Sequence, residues 1–271
     1  MIESMALKLS EAGIGKSSLA DIAKSIENKN INVNELDKPV VKEVVVSDEK
    51  GNVYKKNGEL MPNNEYVIDR INYKTNNNGN IESFSGEIYK YTPEAERDIV
   101  AQLNVGGEAR KIGDDGGHLI ARMFGGSPGN ENLIPMRDTI NRGDYKKLEN
   151  EIKEAIQNRN NVKISGEIKR EENNDRPGEI RIEISYDDVN SEYVFDNDKN
   201  SLKLKTELKK FLTSEDYENF SEELNDVIED NNEVSITSIK KEFNNNGDLK
   251  KLTVGYRNET LSEKYYKEFI I

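Results

Sequence analysis

The sequence predicts an α+β fold: a central antiparallel sheet with, after residue 199, a small acidic α+β C-terminal region. Three observations predict it. Segments rich in Val, Ile and Tyr alternate around Asn-Gly turns in residues 40–91, and 162–168 and 179–186 alternate on either side of the polar loop 173–178, which is the pattern of hairpins. One segment, ending near Asn158, carries apolar residues at helical spacing. The charge then changes along the chain. Residues 101–170 are net +2, whereas 171–271 are net −11 within a total of −13.

The elements follow in order. Leu7, Leu9, Leu19, Ile22, Ala23 and Ile26 give partial helical spacing, so residues 1–37 read as a helical leader or linker. Gly13-Ile14-Gly15-Lys16-Ser17 looks like the end of a phosphate loop, but Ser10 stands where its first glycine is required. Val40-Val41 and Val44-Val45-Val46 open strand territory. Tyr66-Val67-Ile68, Ile71-Asn72-Tyr73 and residues 81–89 continue it around Asn76-Asn77-Asn78-Gly79. Pro93 suggests a helix start, with Ile99, Val100 and Leu103 on the helix and Gly106-Gly107 ending it. Tyr145, Leu148, Ile152, Ala155 and Ile156 form the clearest amphipathic stripe. Strands are expected at 162–168 and 179–186, with a third around Tyr193-Val194-Phe195. Two acidic helices (202–212 and 216–228) and a hairpin over 233–258 complete the chain. The expected division is therefore 1–37, 38–199 and 200–271.

Composition excludes several classes. Hydrophobic residues make up 34% of the chain, below the usual ~45–50%. Cysteine is absent, which removes disulfides and thiolate metal sites. No apolar run reaches the ~18 residues of a membrane span. The N-terminus lacks a basic and then apolar leader, so export would require a larger carrier or another route. The acidic balance argues against nucleic acid as a partner, except that the segment around His118 is the one net-positive part.

His118 is the sole histidine, and hence the one side chain whose ordinary pKa lies near neutrality. It follows Asp114-Asp115-Gly116-Gly117. Downstream come Asn132-Leu133-Ile134-Pro135, then Asn141, then Glu149 and Lys153 on the amphipathic helix. A neutral imidazole that takes a proton from water, beside a hard-oxygen metal site, suits phosphodiester hydrolysis. Plainer readings stand beside this one. Asn132 suits a turn, Asn141 suits a helix cap, and Glu149 with Lys153 suits an i,i+4 surface pair.

These residues resemble the DNA/RNA non-specific endonucleases of the ββα-metal (His-Me finger) superfamily. The nearest likeness is to the type found as C-terminal toxin domains of bacterial polymorphic toxins. Val105-Gly106-Gly107, the run from Asp114 to Arg122, and Phe124-Gly125-Gly126 carry that second likeness. The resemblance covers roughly residues 40–197. It implies a ββα-metal core, with His118 as general base and Asn141 as the direct ligand of Mg²⁺ or another divalent cation such as Mn²⁺. Glu149 would bind metal waters and orient the site, Asn132 would support the site or touch substrate, and Asp115 would be structural. The substrate implied is DNA, with RNA as an alternative. The partner implied is a cognate immunity protein, and the setting is a larger toxin, secreted or delivered by contact, acting in the target cytoplasm. The sequence departs from the family at Gly116, where an arginine ordinarily contacts the phosphate. Arg122 and Lys153 are the expected substitutes, with Arg110 and Arg142 behind them. Gly116 and the acidity leave a second reading open, a non-catalytic nucleic-acid or protein-binding module that retains the nuclease fold.

Overall fold

The computed structural model describes residues 43–93, 95–158, 160–199, 201–226 and 233–271. The expected leader, the Gly13–Ser17 run and Val40-Val41 lie outside them. Val44–Ile271 form one compact unit. It begins with a small antiparallel sheet of β1 (Val45–Ser47), β2 (Val53–Lys56) and β3 (Glu59–Leu60). Then come β4 (Glu65–Ile68), β5 (Ile71–Thr75) and β6 (Ile81–Ile88). Asp69 and Arg70 turn the chain between β4 and β5, both with positive φ. That is the backbone of a two-residue hairpin turn, here made without glycine.

Helix α1 (Ile99–Asn104), β7 (Asp114–His118), β8 (Leu133–Arg137) and α2 (Tyr145–Gln157) follow, α2 entered through a π-helical turn at Ile140–Asp144. The chain then returns as β9 (Val162–Lys169), β10 (Glu179–Tyr186) and β11 (Val189–Asp196). Helices α3 (Ser201–Leu208) and α4 (Ser214–Asp226) precede β12 (Val234–Phe243), β13 (Leu249–Asn258) and β14 (Glu263–Ile270). Nine strands form one antiparallel sheet in the order β14-β13-β12-β11-β10-β9-β6-β5-β4. Because β6 and β9 are neighbours, everything from residue 89 to 161 is an excursion from the sheet. The elements β7, β8 and α2 all lie within it.

Alternation along β11 divides the core. Tyr193 and Phe195 join a cluster with Leu148, Ile152 and Ala155 of α2, whereas Val194 joins Leu204 and Leu208 of α3 and Phe220 of α4. Successive strand residues face opposite sides of a sheet, so α2 covers one face and α3 and α4 the other. The sheet thus runs unbroken across the expected boundary at 199/200, while the apolar packing changes sides there.

Three sequence expectations need correction. Pro93 does not start a helix. Helix α1 begins at Ile99 with Asp98 as its cap, the carboxylate accepting from Ala101 N at 2.9 Å. A capping carboxylate satisfies a free N–H of the first turn, which Pro93 lies too early to reach. Glu149 pairs with Lys146 at 2.8 Å rather than with Lys153, whose ammonium lies 5.4 Å from the Tyr91 ring. The last strand, β14, was not anticipated. Its Glu263–Ile270 stretch mixes charged and aromatic residues because it is an edge strand exposed at alternate positions.

Candidate active site

His118 ends β7, where it pairs in register with Leu133 at the start of β8. The two-stranded unit is fastened at its base. Arg176 grips Asp114 with two bonds of 2.7 Å, and Asn197 accepts from Arg137 N while donating to Pro135 O and Pro177 O. A bidentate guanidinium–carboxylate pair fixes both distance and plane. This holds the strand that carries His118 against the β10–β11 part of the sheet.

The loop after His118 is held from within. Asn132 is 0% exposed. Its carbonyl accepts from Tyr73 Oη and Ile120 N, and its amide donates to Ile120 O and Ser127 O. An amide has two acceptor sites and two donors, so its capacity is full. These four bonds hold the loop that follows His118. Tyr145 Oη reaches Leu119 O at 2.7 Å, and Tyr66 Oη reaches Glu131 O at 2.9 Å. These tyrosines were read only as core and strand residues. Their hydroxyls, which buried tyrosines must satisfy, also anchor the histidine loop.

His118 itself is 9% exposed, and its Nε2 is buried without a hydrogen-bond partner. Burial, then the charges of Arg97 and Arg122, push its pKa down from 6.5 to about 4. The imidazole is therefore neutral at pH 7 and available as a proton acceptor. A buried nitrogen without a partner is uncommon and calls for a ligand or a chemical role.

Asp115, three residues before His118, faces the opposite element. One of its oxygens accepts from Asn141 Nδ2 at 2.9 Å and from Arg142 Nε at 2.8 Å, and the other from Arg142 Nη2 at 2.6 Å. Burial opposes ionisation of this carboxyl, but the bonds from Arg142 and Asn141 outweigh it and hold its pKa below the ordinary value. Asp115 thereby ties the strand of His118 to the turn of Asn141 and fixes which end of the Asn141 amide is spent. Eight residues on a regular α-helix leave two positions about 80° out of phase. The wider π turn at 140–144 takes up part of that angle and brings Asn141 and Glu149 closer to one face.

The turn is braced from the far end of the chain. Asp144, buried, accepts from Tyr266 Oη at 2.8 Å and lies 2.7 Å from Lys264 Nζ, both on β14. Among the described residues no group of three or more His, Cys, Asp or Glu side chains forms a metal cage. The donors present still fit one hard divalent ion. Asn141 offers an amide oxygen and Glu149 a carboxylate, and Mg²⁺ uses few protein ligands while keeping several waters.

Arg122 makes hydrogen bonds of its own. Its guanidinium donates to Glu96 O at 2.6 Å and to Gly126 O, so it braces two loops. Arg110 is spent on Gln102 O, Leu103 O and Asp114 O, and Arg142 on Asp115.

Residues 62–188 match the family described as DNA/RNA non-specific endonuclease. The type VII secretion system protein EssD of Staphylococcus aureus (strain USA300) is 38% identical over 135 residues, 46% of this chain and 21% of that protein. Its counterpart in strain NCTC 8325 / PS 47 gives the same figures. "Probable deoxyribonuclease RhsA" of Dickeya dadantii (strain 3937) is 34% identical over 79 residues, 28% of this chain and 6% of that protein. The chain thus spans only about a fifth of the Staphylococcus relatives. The matched segment, residues 62–188, contains His118, Asn141 and Glu149, and over it the chain is similar to the DNA/RNA non-specific endonucleases.

Proposed function

We propose that this chain is a member of the DNA/RNA non-specific endonuclease family and a metal-dependent, largely sequence-non-specific nuclease that hydrolyses phosphodiester bonds in DNA, with RNA as a second substrate. It acts as the effector domain of a secreted or contact-delivered bacterial toxin, inside the target cytoplasm. The observation that carries the reading is the neutral, buried His118 with an unpartnered Nε2, one strand away from an Asn141 that Asp115 holds in a fixed orientation.

His118 accepts the proton of the attacking water. Asn141 and Glu149 would hold the metal ion, Asn141 through its amide oxygen and Glu149 through its carboxylate. Bound Mg²⁺ or Mn²⁺ supplies positive charge to the scissile phosphate and the leaving oxygen. Asn132 keeps the His118 loop in place, and Lys153 lends positive charge on the helix. The toxin setting is supported by one relative named for a type VII secretion system and another named a deoxyribonuclease. Residues 200–271 lie beyond the matched segment, in the most acidic part of the chain, and are the docking region for a carrier or a cognate immunity protein.

Plasmid cleavage with Mg²⁺, with chelator, and with His118→Ala tests the reading. Metal-dependent cutting should fall at least about 10²-fold in the variant, the usual contribution of a general base. Equal cutting by both proteins removes His118 from the chemistry. No cutting by the folded wild type with either metal favours the binding module.

A further inference from the structure

Position 116 explains itself through α1. A Cβ built on Gly116 would lie 2.5 Å from Gln102 Cα, and the nearest atoms it meets are all backbone of that residue. Gln102 Nε2 donates to Gly116 O at 3.2 Å. Helix α1 therefore lies directly on β7, two residues before His118, in the space that any side chain at 116 would need. The helix contributes no buried residue, and Ile99, Val100 and Leu103 are all exposed. Polar ties hold it down, chiefly Arg110 to the carbonyls of Gln102 and Leu103. A helix kept so close while burying so little is better read as a carrier than as core.

What it carries is the segment just before it. Arg122 Nε holds Glu96 O at 2.6 Å, which fastens this segment four residues downstream of His118. Next to Glu96 stands Arg97, exposed and, among the described residues, without a hydrogen bond or ion pair. Arg110, Arg122 and Arg142 are all committed. Arg97 also depresses the His118 pKa more than Arg122 does, as expected of a cation at the same site.

We infer that Arg97 is the phosphate-contacting cation of this nuclease, delivered by the segment ahead of α1 in place of the arginine that Gly116 replaces. The inference rests on the nuclease reading. The glycine is then a docking slot for α1, and the guanidinium reaches the same phosphate from a different element.

The test compares Arg97→Gln, Arg97→Lys and His118→Ala with wild type, with Lys210→Gln as an exposed control from the C-terminal region. Arg97→Gln should lower kcat/KM by about 10²-fold, the usual loss when one preorganised donor to developing charge is removed. Arg97→Lys should recover part of it, and Lys210→Gln should stay near wild type. A short DNA duplex titrated with salt in chelator, against His118→Ala and the His118→Ala/Arg97→Gln double variant, reads binding without cleavage. The log–log salt slope should shrink by about 0.9 in the double variant, one phosphate contact fewer. Arg97→Gln should also raise the His118 pKa, visible by NMR as the single imidazole resonance. An Arg97→Gln protein that cuts within twofold of a His118-dependent wild type, with an unchanged salt slope, overturns the role of Arg97 alone. A His118→Ala protein as active as wild type overturns the nuclease reading, and this inference with it.

Discussion

Two buried basic side chains in this molecule are treated in opposite ways. On the sheet beneath α3, Lys241 is 3% exposed and surrounded by opposite charge. It bonds Glu192 at 3.1 Å and Glu207, and both carboxylates also bond Arg181. Arg181 also pairs with Glu179 and Glu179 with Lys169, so each charge in the cluster meets its opposite. On β7, His118 is nearly as buried but has no partner on Nε2, and the charges it feels are cations that repel its proton. A closed charge cluster costs desolvation and returns it in fixed geometry. An open, neutral imidazole returns nothing to the fold, and such perturbed groups cluster at functional sites. The contrast separates a region built for shape from the one where chemistry is proposed.

The sharpest way to break the comparison is to open the closed cluster. Lys241→Met should destabilise the protein by about 1–3 kcal/mol, because it leaves Glu192 and Glu207 sharing the guanidinium of Arg181. The Lys241→Met/Glu207→Leu double variant should regain much of that, since one matched Arg181–Glu192 pair remains. Urea midpoints check both. A single variant as stable as wild type would show that the cluster is not a structural unit.

Acid should separate the two regions. Folded His118 has its pKa depressed from 6.5 to about 4. Between those values the unfolded chain binds a proton that the folded one refuses, so stability falls as pH drops through that window. The loss is up to about 3 kcal/mol at 1.36 kcal/mol per pKa unit. Glu207 responds lower. Burial would raise its pKa, but bonds from Arg181 and Lys241 hold it at about 2 against 4.5, so its contribution is lost as pH falls from 4.5 toward 2. Unfolding measured at stepped pH should show both windows, with His118→Gln flattening the upper one and Glu207→Gln the lower.

The smallest expected effect probes the link between the regions. Lys264→Met would leave Asp144 buried with only the Tyr266 hydroxyl beside it, loosening the turn that carries Asn141. Activity should fall about tenfold, since small misplacements of catalytic groups are costly. More metal should be needed for half-maximal cutting. Unchanged metal dependence would remove β14 from the support of the site.

The residues of the candidate site were named from the chain alone. The lone His118, Asn141 and the Glu149 eight residues beyond it share a spacing that needs no coordinates. Hairpins around Asn-Gly turns and the Tyr145–Ile156 stripe read correctly because local periodicity encodes which face is buried. The bonding of the arginines was not legible, for a different reason. Which guanidinium is spent on carbonyls depends on residues distant in sequence, and nothing local records it. The same holds for the tyrosine hydroxyls under the histidine loop and for Lys264 and Tyr266 beneath Asp144.

The sequence by itself determined the α+β class and the antiparallel hairpins, because these rest on residue type and short-range order. Tertiary structure alone decided that Asn132 holds the loop after His118 and that Gly116 makes room for α1. It also decided that the acidic C-terminal strands continue the sheet and brace the turn of Asn141. These depend on close approaches between segments tens of residues apart, where packing and hydrogen-bond satisfaction, not local pattern, set the outcome.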